Sequence, residues 1–216
     1  MAFFGFIPSE NLLQKVQTSI AQKNAKSPLY PLRDEIALHV NEEIIDAILT
    51  NVVRHFPPSE KKETAEKLAS FVKSSVAVLL KQLLSKASND VVQQSIAFSE
   101  QSLFQDPQGQ LRMGETLDPR LVTNLKHYFQ QIQSGERIDI HAFAENYKVF
   151  AEATVNHFMH DFHRTLDLGM IKRKAADIGC SAVIKAVHIA IDKVFVHLTK
   201  DELKVLAQHH DELFFQ

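Results

Sequence analysis

The chain has 216 residues, of which 45% are apolar and 23% are charged, and its formal net charge is −2. Such a composition is ordinary for a globular protein whose core needs neither a metal nor a disulfide for stability. The charge lacks the basic surplus of most nucleic-acid binders, so no nucleic acid is expected as a partner. The single cysteine, Cys180, cannot form an intramolecular disulfide, which favours a reducing compartment.

The first eight residues carry no basic leader, and their apolar run is short for a signal peptide. No stretch reaches the about 18 consecutive apolar residues that a transmembrane helix needs, so no membrane span is expected. We therefore expect a cytoplasmic location.

Apolar residues at helical spacing dominate the first half of the chain. Ser9 and Ser59 are predicted N-caps, and Asn41 is expected to cap a helix that Pro57-Pro58 ends. The predicted helices of this half cover residues 10–24, 32–40, 42–56, 60–86 and 89–104.

Residues 105–117 interrupt the helical pattern, and Gln108-Gly109 is typical of a tight turn within a small hairpin. Asp118-Pro119 then restarts a helix as N-cap and first helical residue. Thr199 and Glu202 form a predicted capping box for the last helix. The predicted helices of this half cover residues 119–134, 140–168, 170–198 and 200 onwards.

This pattern predicts a single all-α domain over residues 1–216, a bundle of about seven to nine helices. The 170–198 helix is apolar on most of its circumference, which is typical of a helix buried among others. It is therefore the expected central element. The turn region at 105–117 leaves a two-part organisation open, with halves 1–104 and 118–216.

Four histidines have an acidic residue at i+4, the spacing at which side chains on a helix can touch. In an ideal helix, Asp161 lies on the buried stripe that runs from Phe143 to Phe162, with His157 beside it and His163 on the opposite face. A buried carboxylate must be paired or shift its pKa, so an ion pair, a metal site and an acid–base pair all stay open. The pairs are His141/Glu145, His157/Asp161, His163/Asp167 and His188/Asp192, and the candidate metal ligands are His157, His160, Asp161, His188 and Asp192.

His160-Asp161 resembles the dipeptide that names the HD phosphohydrolase superfamily, an all-helical family of metal-dependent enzymes. The family's order is a histidine, then His-Asp, then a later aspartate. In this sequence the same order is found in His127, His160, Asp161 and Asp192. The resemblance implies a metal-dependent phosphohydrolase.

Two further features leave contacts with other molecules open. Lys172, Arg173 and Lys174 lie in the first turn of the 170–198 helix, where cations oppose the helix dipole. They are either an exposed cluster or an anion-binding site. The aromatic residues at both chain ends either fold back onto the bundle or meet a partner or a second copy in a homodimer.

Three functions follow from these observations. The lack of a catalytic motif and of charge bias favours a non-enzymatic helical protein that binds a protein partner or a small ligand, with regulation as one expected role. One alternative is a metal-dependent enzyme that uses the histidines and aspartates above. The other is a protein that holds an apolar ligand or a haem between its helices, beside the Phe143–Phe162 stripe. No cofactor is required by the sequence, and a metal ion is compatible with it.

Overall fold

The computed structural model describes all 216 residues, in eight helices and a four-stranded sheet, and confirms the predicted multi-helix bundle. Two helices each contain one π-helical turn. The turn at Asp46–Thr50 is called the first π-turn, and the turn at Asn156–Asp161 the second π-turn. No helix combines the length and apolarity needed to cross a membrane. The helices are α1 (Glu10–Ala21), α2 (Tyr30–Ile45, the first π-turn and Asn51–Arg54), α3 (Glu60–Leu83), α4 (Asn89–Gln101), α5 (Pro119–Ser134), α6 (Ile140–Val155, the second π-turn and Phe162–Arg164), α7 (Met170–Phe195) and α8 (Lys200–Asp211).

Local side-chain caps set several helix ends. The Ser9 hydroxyl accepts a hydrogen bond from the Leu12 N–H at 3.1 Å, and Thr199 and Glu202 form the predicted capping box. Each cap satisfies a backbone N–H that has no partner within its helix. The predicted helix boundaries at these positions are confirmed.

The expected helix start at Asn41 is wrong. Its side-chain amide donates to the Ala37 carbonyl one turn earlier, at 2.9 Å, and α2 continues through it. An asparagine that bonds back into its own helix no longer acts as a cap.

The all-α prediction missed the sheet. Its strands are β1 (Ala2–Phe6), β2 (Leu103–Gln105), β3 (Leu111–Leu117) and β4 (Phe214–Phe215), in the order β2-β3-β1-β4 with antiparallel neighbours. Both aromatic chain ends thus fold back onto the bundle, and β2 and β3 form the predicted hairpin. A Cβ atom at Gly114 would lie 1.8 Å from the Phe4 carbonyl oxygen, so the β1–β3 contact requires glycine there.

The largest hydrophobic cluster joins the sheet to α2, α5, α6 and α8, with side chains from both halves of the chain. Phe4, Phe129, Phe143 and Phe150 are completely buried in it. A second cluster joins α3 to the end of α6 and the first half of α7. These two clusters hold α6 in place along its whole length.

The α7 helix is less buried than its apolar composition predicts. Ala176, Cys180, Ile191 and Phe195 are buried, but Ile171 and Ile178 are 87% and 61% exposed. The helix packs mainly against α3 and α6, so its remaining side is open. It forms one wall of the bundle rather than a rod enclosed on all sides.

The second π-turn changes which residues of α6 face the core. A π-turn contains one residue more than the α-helical turn it replaces, so the residues after it are rotated by about 100° from their ideal α-helical positions. His163 is consequently buried, with 1% of its surface exposed, whereas Asp161 is exposed. The predicted positions of both residues, Asp161 inward and His163 outward, are therefore wrong.

Candidate functional site

An apolar cavity of about 140 Å³, partly open to solvent, lies between α2, α3, α6, α7 and α8. Of its 28 lining residues, 25 are hydrophobic. Both π-turns contribute to the wall, the first through Ile48 and Leu49 and the second through Phe158 and Met159. π-turns inside helices are rare and are frequent at functional sites, which makes this cavity the first candidate.

Two adjacent histidines of α8 hold the first π-turn. The His209 and His210 Nε2 atoms lie 3.0 Å from the Ala47 carbonyl oxygen and 2.9 Å from the Ile48 carbonyl oxygen, respectively. A carbonyl oxygen only accepts, so each Nε2 must carry the hydrogen. These bonds join two segments that are 162 residues apart in sequence.

The same argument fixes the tautomer of His210. With its Nε2 donating to Ile48, its Nδ1 accepts a hydrogen bond from the Tyr147 hydroxyl at 2.9 Å. Burial, together with the neighbouring His209, lowers the pKa of His210 to about 3, and burial also raises the pKa of Tyr147. The pair is therefore neutral, and both of its polar groups are satisfied.

Thr154 is different, because its buried hydroxyl oxygen has no hydrogen-bond partner. Its side chain lines the cavity and is 6% exposed. Its hydroxyl interacts with Glu115 of β3. Burial raises the pKa of the Glu115 carboxyl to about 8; the Thr154 hydroxyl lowers this pKa in part, and the charge of Asp161 raises it further. The Glu115 Oε1 atom also lacks a partner. Thr154 thus brings to the cavity wall one buried hydroxyl that lacks a hydrogen bond of normal geometry and that adjoins the neutral Glu115 carboxyl behind the wall.

The predicted aromatic stripe contributes only in part to this cavity. Tyr147, Thr154 and Phe158 line it, whereas Phe143 and Phe150 are packed in the core. His210 is the only histidine in the wall, and both of its ring nitrogens are occupied. No imidazole nitrogen is therefore free to ligate a haem iron from this wall.

Most predicted metal ligands lie apart from one another. The His157 Nε2 lies 3.1 Å from the Ser102 hydroxyl, and its ring packs on Phe98. His188 lies near Glu152, with 4.0 Å between Nε2 and Oε2, and Asp192 pairs with Lys148. None of the four i, i+4 pairs of histidine and acid forms an ion pair; the histidine–acid contacts present are His160–Asp161, His160–Asp177, His163–Asp177 and His188–Glu152.

A histidine cluster that includes His160 forms where α6 ends against α7. The ligand atoms of His160, His163 and Asp177 all lie within 4.8 Å of one another, and no other group of three such residues does so. The set formed by His127, His160, Asp161 and Asp192 does not come together. Sequence reasoning missed His163 because the second π-turn turns its side chain inward. It missed Asp177 because only the packing of α7 brings this residue to the cluster.

The cationic cluster at the start of α7 is exposed. Lys172, Arg173 and Lys174 all lie on the surface, and Arg173 contacts the Leu168 carbonyl oxygen at 3.5 Å. Anion binding by these residues stays a prediction.

Comparison with known proteins gives no direct guide to function. The chain matches no protein-family model, no curated protein and no solved structure.

Proposed function

We propose that this protein binds a small apolar ligand that carries one hydrogen-bonding group, in the cavity between α2, α3, α6, α7 and α8. The observation that carries the proposal is a wall with 25 hydrophobic residues and one buried hydroxyl, that of Thr154, which has no hydrogen bond of normal geometry within the protein. Ligand sites typically combine an apolar lining with a few polar groups that fix orientation.

The cavity volume limits the size of the ligand. At about 140 Å³ it is comparable with cavities of about 150 Å³ that stay dry and bind benzene. A single aromatic ring or a short alkyl chain is therefore the expected size. Burial of such a group is favourable by about 25 cal/mol per Å² of apolar surface.

Thr154 and Glu115 supply the expected polar contact. An unsatisfied buried hydroxyl costs about 1–3 kcal/mol, so a ligand that completes its hydrogen bonding recovers part of this cost. Because the neighbouring Glu115 carboxyl is neutral near pH 7, it does not repel a hydrogen-bond acceptor or a phenolic oxygen of the ligand. A neutral hydroxyl or carbonyl on the ligand is the group that suits the Thr154 hydroxyl.

The test compares two probes that differ by one hydroxyl group, 4-fluorophenol and fluorobenzene, by ¹⁹F NMR titration of the purified protein. The hydroxylated probe is expected to bind about 3- to 10-fold more tightly, the value of one hydrogen bond of about 0.5–1.5 kcal/mol. Thr154→Val should remove this preference and leave fluorobenzene binding intact. Native mass spectrometry of the protein as purified would reveal a ligand retained from the cell.

A filled-cavity variant supplies the control. Val187→Phe places a ring in the cavity, whereas Ile189→Phe places one on the exposed side of the same helix. Binding of both probes should disappear in the first variant and persist in the second, with circular dichroism used to verify folding of each. Equal binding by both variants, or no saturable binding by the unaltered protein, would contradict the proposal.

A further inference from the structure

We propose that His160, His163 and Asp177 hold a divalent transition-metal ion of the zinc class. The set takes two residues from the end of α6 and one from the second turn of α7. Two imidazoles and one carboxylate are a common ligand set for such ions, and with three protein ligands a fourth position stays open.

The distances fit a shared ion. The Asp177 Oδ1 atom lies 3.2 Å from the His163 Nε2 and 3.6 Å from the His160 Nε2. Ligand atoms about 2.0–2.1 Å from a tetrahedral zinc ion are about 3.3 Å apart, so both distances lie close to one tetrahedral edge. Both contacts are ion-pair distances without a hydrogen bond of normal geometry, so an ion between the three groups would not have to replace one.

Each imidazole also has a polar neighbour besides Asp177. The His160 Nδ1 lies 3.6 Å from the Asp161 carboxylate, and the His163 ring interacts with the Met159 carbonyl. Ligating histidines usually have such a carboxylate or carbonyl partner, which fixes the ring and its tautomer. Asp161 is thus an orienting residue here rather than a ligand.

Access to the proposed site is open on one side. The Asp177 side chain is 52% exposed, whereas His163 is buried. An ion can therefore enter from solvent past Asp177 and meet a fixed imidazole beneath it. Cys180 lies 3.9 Å from the opposite ring nitrogen, Nδ1 of His163, and does not belong to the ligand set.

The test is calorimetric titration with Zn²⁺, supported by the visible spectrum of the Co²⁺ form. The unaltered protein should bind one equivalent, and its Co²⁺ form should show the intense bands of tetrahedral coordination. Loss of a partner that only orients a ligand costs about 10- to 100-fold in metal affinity, and Asp161→Asn should weaken Zn²⁺ binding by this much. Asp177→Asn removes a ligand and should weaken Zn²⁺ binding further.

His188→Gln is the matched control, since His188 is a half-buried histidine of α7 that lies outside the cluster. It should bind Zn²⁺ as tightly as the unaltered protein. No stoichiometric Zn²⁺ binding, or binding that Asp177→Asn leaves unchanged, would overturn the site and reduce the cluster to a surface ion pair. The fluorinated-probe titrations are separate from this result, so either proposal can fail alone.

Discussion

Glu115→Gln should remove a pH dependence of folding that the sheet imposes. Glu115 lies on β3 opposite Phe4 and is 9% exposed. Burial raises the pKa of its carboxyl from the ordinary 4.5 to about 8, with Thr154 lowering it in part and the Asp161 charge raising it further. The folded protein therefore keeps this proton at neutral pH.

The sign of the effect follows from where the proton is lost. In the unfolded chain the carboxyl ionises as the pH rises past 4.5, whereas in the folded protein it stays protonated until about pH 8. Stability is therefore greatest at low pH and falls as the pH rises between these values, by at most ~1.4 kcal/mol per pH unit. Over the interval from about pH 5 to about pH 8 the loss is about 3 kcal/mol.

Urea unfolding of the unaltered protein and the variant at about pH 5 and about pH 8 measures this loss. Glutamine is neutral throughout, so the two proteins should have similar stability at the lower pH. At the higher pH the variant should be more stable by about 3 kcal/mol. Glu100→Gln, at an exposed position, should show no such divergence. A free-energy difference between the variant and the unaltered protein that is the same at both pH values would refute the reasoning.

Two further predictions concern α8. The pKa of His210 is about 3 in the folded protein against an ordinary 6.5, so the unfolded chain takes up this proton first as the pH falls. Folding stability is therefore lost between these two pH values. An acid titration followed by circular dichroism should show a smaller loss of stability in His210→Gln. Thr199→Ala removes half of the capping box and should cost about 1 kcal/mol in thermal unfolding, while Thr64→Ala, at an exposed site inside α3, should cost less. A loss as large in Thr64→Ala as in Thr199→Ala would show that the cap itself contributes little.

Helices and their capped ends were predictable because their signals are local. Ser9, Ser59, Asp118 and Thr199 each cap the helix that follows within a few residues. Of the sheet, only the local β2–β3 hairpin was predictable. The other inner strand, β1, pairs with residues more than 100 positions away in sequence. The edge strand β4 has only two residues, too few for an alternating pattern.

The candidate sites depended on information that periodicity does not contain. The extra residue of a π-turn leaves no signature in the spacing of apolar residues, yet it decides that His163 rather than Asp161 is buried. Asp177 joins the cluster only because α7 packs against the end of α6. The cavity wall was predictable as apolar, but whether its helices leave space between them is set by packing alone.

The second π-turn belongs to both sites at once. Phe158 and Met159 face the cavity, and the very next residue, His160, faces Asp177. Conversion of this turn to regular α-helix would swing the following side chains around the helix axis and dismantle both arrangements together. An ion held by His160 and a guest held against Phe158 would therefore both require the same backbone register.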